Sequence, residues 1–214
     1  MAKDSNTLID ALVADLAPVR PLRGWDGALR VALAAALTLA VVLGSFGLAA
    51  PVRAGTMSAM FLLANGLLLL LGLAAGASTI LQASPRVGNR HDGPRWAMSM
   101  AAVFPFATLV LLALHRTEAA HLIAADTAWH CLAVSLVASL LIGGVLLAWL
   151  RRGAPVSPAA AGLHLGVAAT ALGTAIYGLS CPADSLYHLG IWHALPVIAG
   201  ALAGRCFIPR LLRW

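Results

Sequence analysis

Two cysteines and a group of histidines are the side chains of this sequence with the most chemistry to offer. Cys131 follows Trp129 by two residues, and Cys181 directly precedes Pro182. His115, His121, His130, His188 and His193 lie in the flanking segments. Thiolate and imidazole are soft-to-borderline metal ligands, and a thiol pair can be oxidised to a disulfide. The spacing is not that of a structural zinc site, whose ligands come in pairs two to four residues apart. Three uses therefore stand open for Cys131 and Cys181. They are a stable disulfide, a thiol switch reversed by redox change, and ligation of a transient heavy-metal ion. His130, His188 and His193 are the candidate co-ligands. Read singly, each histidine is a polar residue at an interface. The chain has no P-loop, no G-x-S-x-G and no H-E-x-x-H, so nothing points to an enzyme or a resident cofactor.

The elements that must position these groups follow from composition. Of 214 residues, 61% are hydrophobic and only 10% charged; mean hydropathy is +0.89. A soluble domain carries about 25% charged residues, so this chain cannot cover a globular surface. That excludes a soluble enzyme, a secreted disulfide scaffold and a disordered tail. A spanning helix needs about 20 apolar residues. Six such runs occur, near 29–50, 57–81, 96–114, 129–150, 159–180 and 189–208. They lack period-2 alternation, which disfavours a barrel. The fold class expected is an all-α, polytopic membrane protein with a polar lead over 1–28 and a six-helix bundle over 29–214.

Basic residues set the orientation. Twelve of the fourteen Lys and Arg fall on the side holding the N-terminus, the 82–95 loop, the 151–158 loop and the C-terminus; Arg53 and Arg116 fall on the other. The positive-inside rule places both termini in the cytoplasm. The net charge of +6 is thereby accounted for, and no direct nucleic-acid contact is required. Trp25, Trp96, Trp149 and Trp214 fall at inner helix ends, Trp129 and Trp192 at outer ones, as an aromatic belt would have them.

Within the runs there is no Asp or Glu, which weakens a pump or proton-relay reading. Asn65 is expected to make a helix–helix hydrogen bond. Gly72/Gly76, Gly162/Gly166 and Gly200/Gly204 form small-x-x-x-small pairs, read as packing within the bundle. Cys206, near the inner face, reads as a small packing residue. Depth follows from the helical rise. Cys131 lies 20 residues from Arg151, roughly 30 Å, and Cys181 lies 23 residues from Pro158, roughly 34 Å. The two sulfurs are thus expected at similar height on the outer side.

The N-terminal lead carries an amphipathic helix. Thr7 and Asp10 fit a capping-box-like start; Leu8, Ile9, Leu12, Val13 and Leu16 form one stripe, with Asp10 and Asp15 off it. Pro18 and Pro21 end the helix. Its acidic polar face is repelled by an anionic leaflet. Two alternatives remain: docking on the bundle's own inner loops, or docking in a groove of a basic partner protein such as a DNA-binding protein.

Taken in order, these features resemble a known family. A Leu8-Ile9-Asp10-x-Leu12-x-x-Asp15-Leu16-x-Pro18-Val19 segment precedes six spans. A cysteine starts span 4, and Cys181-Pro-Ala-Asp184-Ser follows span 5. Trp192-His193, Gly200, Gly204-Arg205 and a basic Arg-Leu-Leu-Arg-Trp tail close the chain. The pattern is similar to the NrsF-type membrane anti-sigma factors of proteobacteria. The resemblance implies an extracytoplasmic-function sigma factor as partner, held at the inner membrane and released on metal or oxidative stress, with Cys131 and Cys181 as the sensor pair. The partner contact is expected on Leu8, Ile9, Asp10, Leu12, Asp15 and Leu16, because the chain lacks a soluble anti-sigma domain and a zinc H-x-x-x-C-x-x-C motif. The rival readings are a membrane thiol oxidoreductase or small-ion transporter using the same cysteines, and a purely structural membrane subunit. The oligomeric state is left open.

Overall fold

A computed structural model describes residues 2–14, 22–85, 93–114 and 127–212. Its helices, in chain order, are α1 (Ala2–Ala14), α2 (Gly24–Phe46), α3 (Ala50–Ala54), α4 (Ala59–Gln82), α5 (Gly93–Ala101), α6 (Val103–Leu114), α7 (Thr127–Leu150), α8 (Pro158–Gly178), α9 (Leu186–Trp192) and α10 (Ala194–Leu211). No strand occurs among the described residues. Six segments are long and apolar enough to cross a membrane, and together they bear out the expected fold class. The first begins at Gly24, ahead of the expected residue 29, and takes Trp25 and Asp26 into its first turn.

Two spans are broken, and proline explains both. Span 3 divides into α5 and α6 at Ala102, and span 6 into α9 and α10 at His193. A proline has no N–H to give the carbonyl four residues earlier. Four residues before Pro105 is Ala101, the last of α5; four before Pro196 is Trp192, the last of α9. The broken spans meet: Thr108 Oγ1 donates to the Leu186 carbonyl at 3.0 Å.

The fifth span, α8, is the hub. It packs against α4, α7 and α10, and 72% of it is buried, against 6% of the third span. Its sequence explains this, since Ala, Gly and Thr let helix backbones approach closely. Gly162 and Gly166 face Gly204 and Gly200 across the α8–α10 seam, and a Cβ on Gly166 would overlap the Gly200 carbonyl. Gly72 fits against Leu172 of α8. All three glycine pairs thus touch the packing inside the bundle, as the spacing suggested.

The Arg-rich end closes around Trp149. Its indole is buried among Ile80, Leu146 and Leu150, donates to the Ile80 carbonyl at 3.2 Å, and carries Arg30 and Arg152 on its ring at 5.8 and 5.7 Å. The loop after α7 is tied down where Ala154 N–H donates to the Ala83 carbonyl at 2.9 Å. Trp149 is therefore a core residue, and so is Trp192 at the opposite end. The belt expectation holds for Trp25, Trp96 and Trp129, which are exposed; Trp214 lies outside the described residues.

The lead helix α1 starts at Ala2, so Thr7 sits within it and is not its cap. Ala and Lys at positions 2 and 3 are strong helix formers, which carries the helix past the expected start. Leu8, Ile9, Leu12 and Val13 are each more than half exposed. The stripe is thus not covered by the described part of the bundle, which leaves self-docking without support.

Candidate functional site

Cys131 begins the second turn of α7, and its sulfur points into the bundle with 2% of the residue exposed. Cys181 follows α8 in a tight turn, where Ser180 and Cys181 N–H donate to the Tyr177 and Gly178 carbonyls. The sulfurs lie 3.6 Å apart and are not bonded to each other. The equal-depth expectation therefore holds. Tyr177, one turn ahead of Cys181, brings its hydroxyl within 3.6 Å of Cys131 Sγ. The hydrogen bond shared with Cys131, and then burial, push the Cys181 thiol well above the ordinary thiol range, so it holds its proton.

Two histidines complete the group. Ser185 caps α9 by accepting from the His188 N–H at 3.2 Å, which fixes the turn from which His188 Nε2 reaches Cys181 Sγ at 3.4 Å. His193 stands at the α9–α10 break, its ring 5.4 Å from that of His188. One ligand atom from each of Cys131, Cys181, His188 and His193 lies within 4.8 Å of the others, and all four residues are buried. Among the described residues, neither ring nitrogen of His193 has a hydrogen-bond partner, nor does Trp192 Nε1.

His130, the third candidate co-ligand, is not in this group. It is exposed and packs edge-on against Phe46 and Tyr177 at 5.5 and 6.2 Å. Successive residues on a helix point about 100° apart, as 3.6 residues per turn requires, and that rotation from the inward Cys131 turns His130 toward Phe46. His115 and His121 lie outside the described residues. Tyr177 was not singled out by the sequence reading; its signal was the one-turn spacing from Cys181. Asn65 does not make the expected hydrogen bond: its buried Oδ1 has no partner and abuts Gly178. Cys206 is exposed on α10 and is not a packing residue. Of the expected partner contacts, Leu8, Ile9, Asp10 and Leu12 lie on α1, exposed; Asp15 and Leu16 lie outside the described residues.

The buried quartet can do two things chemically. Its thiols are close enough to be oxidised to a disulfide, and its four ligand atoms converge as a metal would need. The class so defined is a six-span helical membrane protein with a buried thiol–imidazole group at one end and an exposed amphipathic helix ahead of its first span.

Within that class, the chain belongs to the NrsF family, negative regulators of sigma F, whose family profile matches residues 12–214. The family is one of regulators and not of enzymes. Over 67 residues, 31% of each chain, the sequence is 37% identical to the anti-sigma-F factor NrsF of Caulobacter vibrioides (strain NA1000 / CB15N). The matched stretch spans under a third of that relative's length. No solved structure matches.

Proposed function

We propose that this chain is an anti-sigma factor of the bacterial inner membrane, holding an extracytoplasmic-function sigma factor on its cytoplasmic side. Metal or oxidative stress acting at Cys131 and Cys181 on the outer side releases it. The observation that carries this reading is the path between the two faces. The α7–α8 hairpin has the thiol pair at one end and, at the other, the Trp149–Ile80 and Ala154–Ala83 contacts that shape the Arg-rich face. Oxidation of the pair by a two-electron oxidant removes two electrons and two protons and joins sulfurs now 3.6 Å apart. That shifts α7 against the turn that follows α8, and a packed hub passes the shift on.

The sigma contact falls on the stripe of α1, an apolar helix face left more than half exposed among the described residues, in the helix-in-groove mode. Asp10 beside the stripe suits a basic partner. Driving the holding state from 99:1 to 1:99 takes about 5.5 kcal/mol of differential interaction, within reach of a covalent bond or a metal site.

The test is affinity capture of the tagged protein from native membranes, with its soluble partner identified. A sigma factor is expected with the full chain and is expected to vanish when residues 1–16 are deleted. Cys131→Ser and Cys181→Ser are expected to keep capture and lose release by oxidant. Absence of any sigma factor from the full-chain sample overturns the reading. Release that survives both cysteine substitutions overturns the sensor assignment.

A further inference from the structure

We propose that Cys131, Cys181, His188 and His193 form a four-coordinate, zinc-type site for a borderline-to-soft divalent cation. The proposal takes the thiol pair of the sensor reading as given and adds two imidazoles to it. Its test reads metal binding and not sigma release, so either can fail without the other.

The geometry is that of a tetrahedral shell slightly relaxed. Metal–sulfur bonds near 2.3 Å and metal–nitrogen bonds near 2.0 Å place the ligand atoms of a tetrahedron roughly 3.3–3.8 Å apart. The Cys131 and Cys181 sulfurs are 3.6 Å apart, Cys181 Sγ is 3.4 Å from His188 Nε2, and all four atoms lie within 4.8 Å. Among the described residues neither ring nitrogen of His193 has a partner at hydrogen-bond geometry, and Cys131 is one of the polar groups facing it. A buried polar group left so is costly, and a cation on one nitrogen would remove part of that cost.

The donor set selects the ion. Two sulfurs and two nitrogens favour zinc-like cations, while magnesium and calcium want oxygen ligands. Charge supports the same choice. Binding a divalent ion displaces one proton from each thiol, so two thiolates cancel the two positive charges. The occupied site is neutral, as a buried site requires.

The site also bridges three separate elements: α7 through Cys131, the turn after α8 through Cys181, and the broken sixth span through His188 and His193. An ion bound there ties span 6 to the α7–α8 hairpin, a link that a Cys131–Cys181 disulfide does not make.

The test is titration of the reduced, detergent-solubilised full chain with Co²⁺ and then Zn²⁺. Expected are a thiolate-to-cobalt charge-transfer band saturating at one ion per chain, its loss on zinc addition, and release of two protons per zinc. Zinc should slow maleimide labelling of the buried Cys131 and Cys181 relative to the metal-free chain, with labelling of the exposed Cys206 unchanged as an internal control. His188→Ala and His193→Ala are expected to weaken binding by more than about 100-fold, since even outer-shell losses cost 10–100-fold. His130→Ala should leave it unchanged. Absence of a thiolate band in the unmutated chain, or an unaltered affinity in the His188→Ala/His193→Ala double variant, overturns the proposal.

Discussion

The two ends of the bundle are built on opposite principles. At the Arg-rich end the large side chain has everything it needs. Trp149 is enclosed by apolar neighbours, its N–H is bonded to Ile80, and two guanidinium groups lie on its ring. At the cysteine end the buried residues are polar and incompletely satisfied. His193, Trp192, Asn65 and Ser180 all hold side-chain atoms without partners. Packing of the first kind serves stability. An arrangement of the second kind costs stability, as an unsatisfied buried group does, and is characteristic of functional sites, where local rules are broken for a purpose.

Substitutions should separate the ends. Trp149→Ala should give the largest loss, about 4 kcal/mol, from the cavity left by a buried aromatic and the freed Ile80 carbonyl; denaturant titration of the solubilised protein followed by circular dichroism measures it. If the loss is under a quarter of that, the Arg-rich end is not the anchor claimed here. Gly166→Val should cost about 2–3 kcal/mol by overpacking the α8–α10 seam, read in the same titration. A smaller effect is expected at the cysteine end with pH. The Cys181 thiol, faced by Cys131, His188, His193 and Tyr177, titrates higher folded than unfolded. Its contribution is therefore fully present below the ordinary thiol pKa of about 8.5 and declines as pH rises above it. Stability of the reduced, metal-free chain should fall from pH 8 to 10, and Cys181→Ala should flatten that slope. The smallest change belongs to His193→Leu. Replacing an unpartnered buried imidazole by an apolar side chain should leave stability unchanged or raise it by up to about 1 kcal/mol. A loss like that of Trp149→Ala would erase the contrast between the ends.

Sequence carried much of this and missed particular parts for physical reasons. The six spans were legible because unbroken apolar runs have few alternatives in water or lipid. The shared depth of Cys131 and Cys181 was legible because helical rise is fixed. The choice among histidines was not. It depends on helix phase at His130 and on the break at His193, and the break depends on Pro196, which frees the Trp192 carbonyl without fixing which way the next side chain points. The burial of Trp149 and Trp192 was hidden as well, since position along the membrane normal says nothing about which face of a helix a residue occupies. Asn65 shows a further limit: an amide in a span implies a partner, but the tertiary packing, not the sequence, decides whether one arrives.

The seam between α8 and α10 has a genetic consequence. Four glycines meet there backbone to backbone, Gly162 with Gly204 and Gly166 with Gly200. Every base change in the first two positions of a glycine codon installs a side chain or a stop. Beyond the synonymous third-position changes these codons therefore have no neutral neighbours, while a lipid-facing position such as Leu202, exposed on the same helix, can drift among apolar residues. A saturation library of this gene, selected for membrane-inserted protein, should come back with only glycine at the four positions and with many apolar residues at Leu202, two residues away.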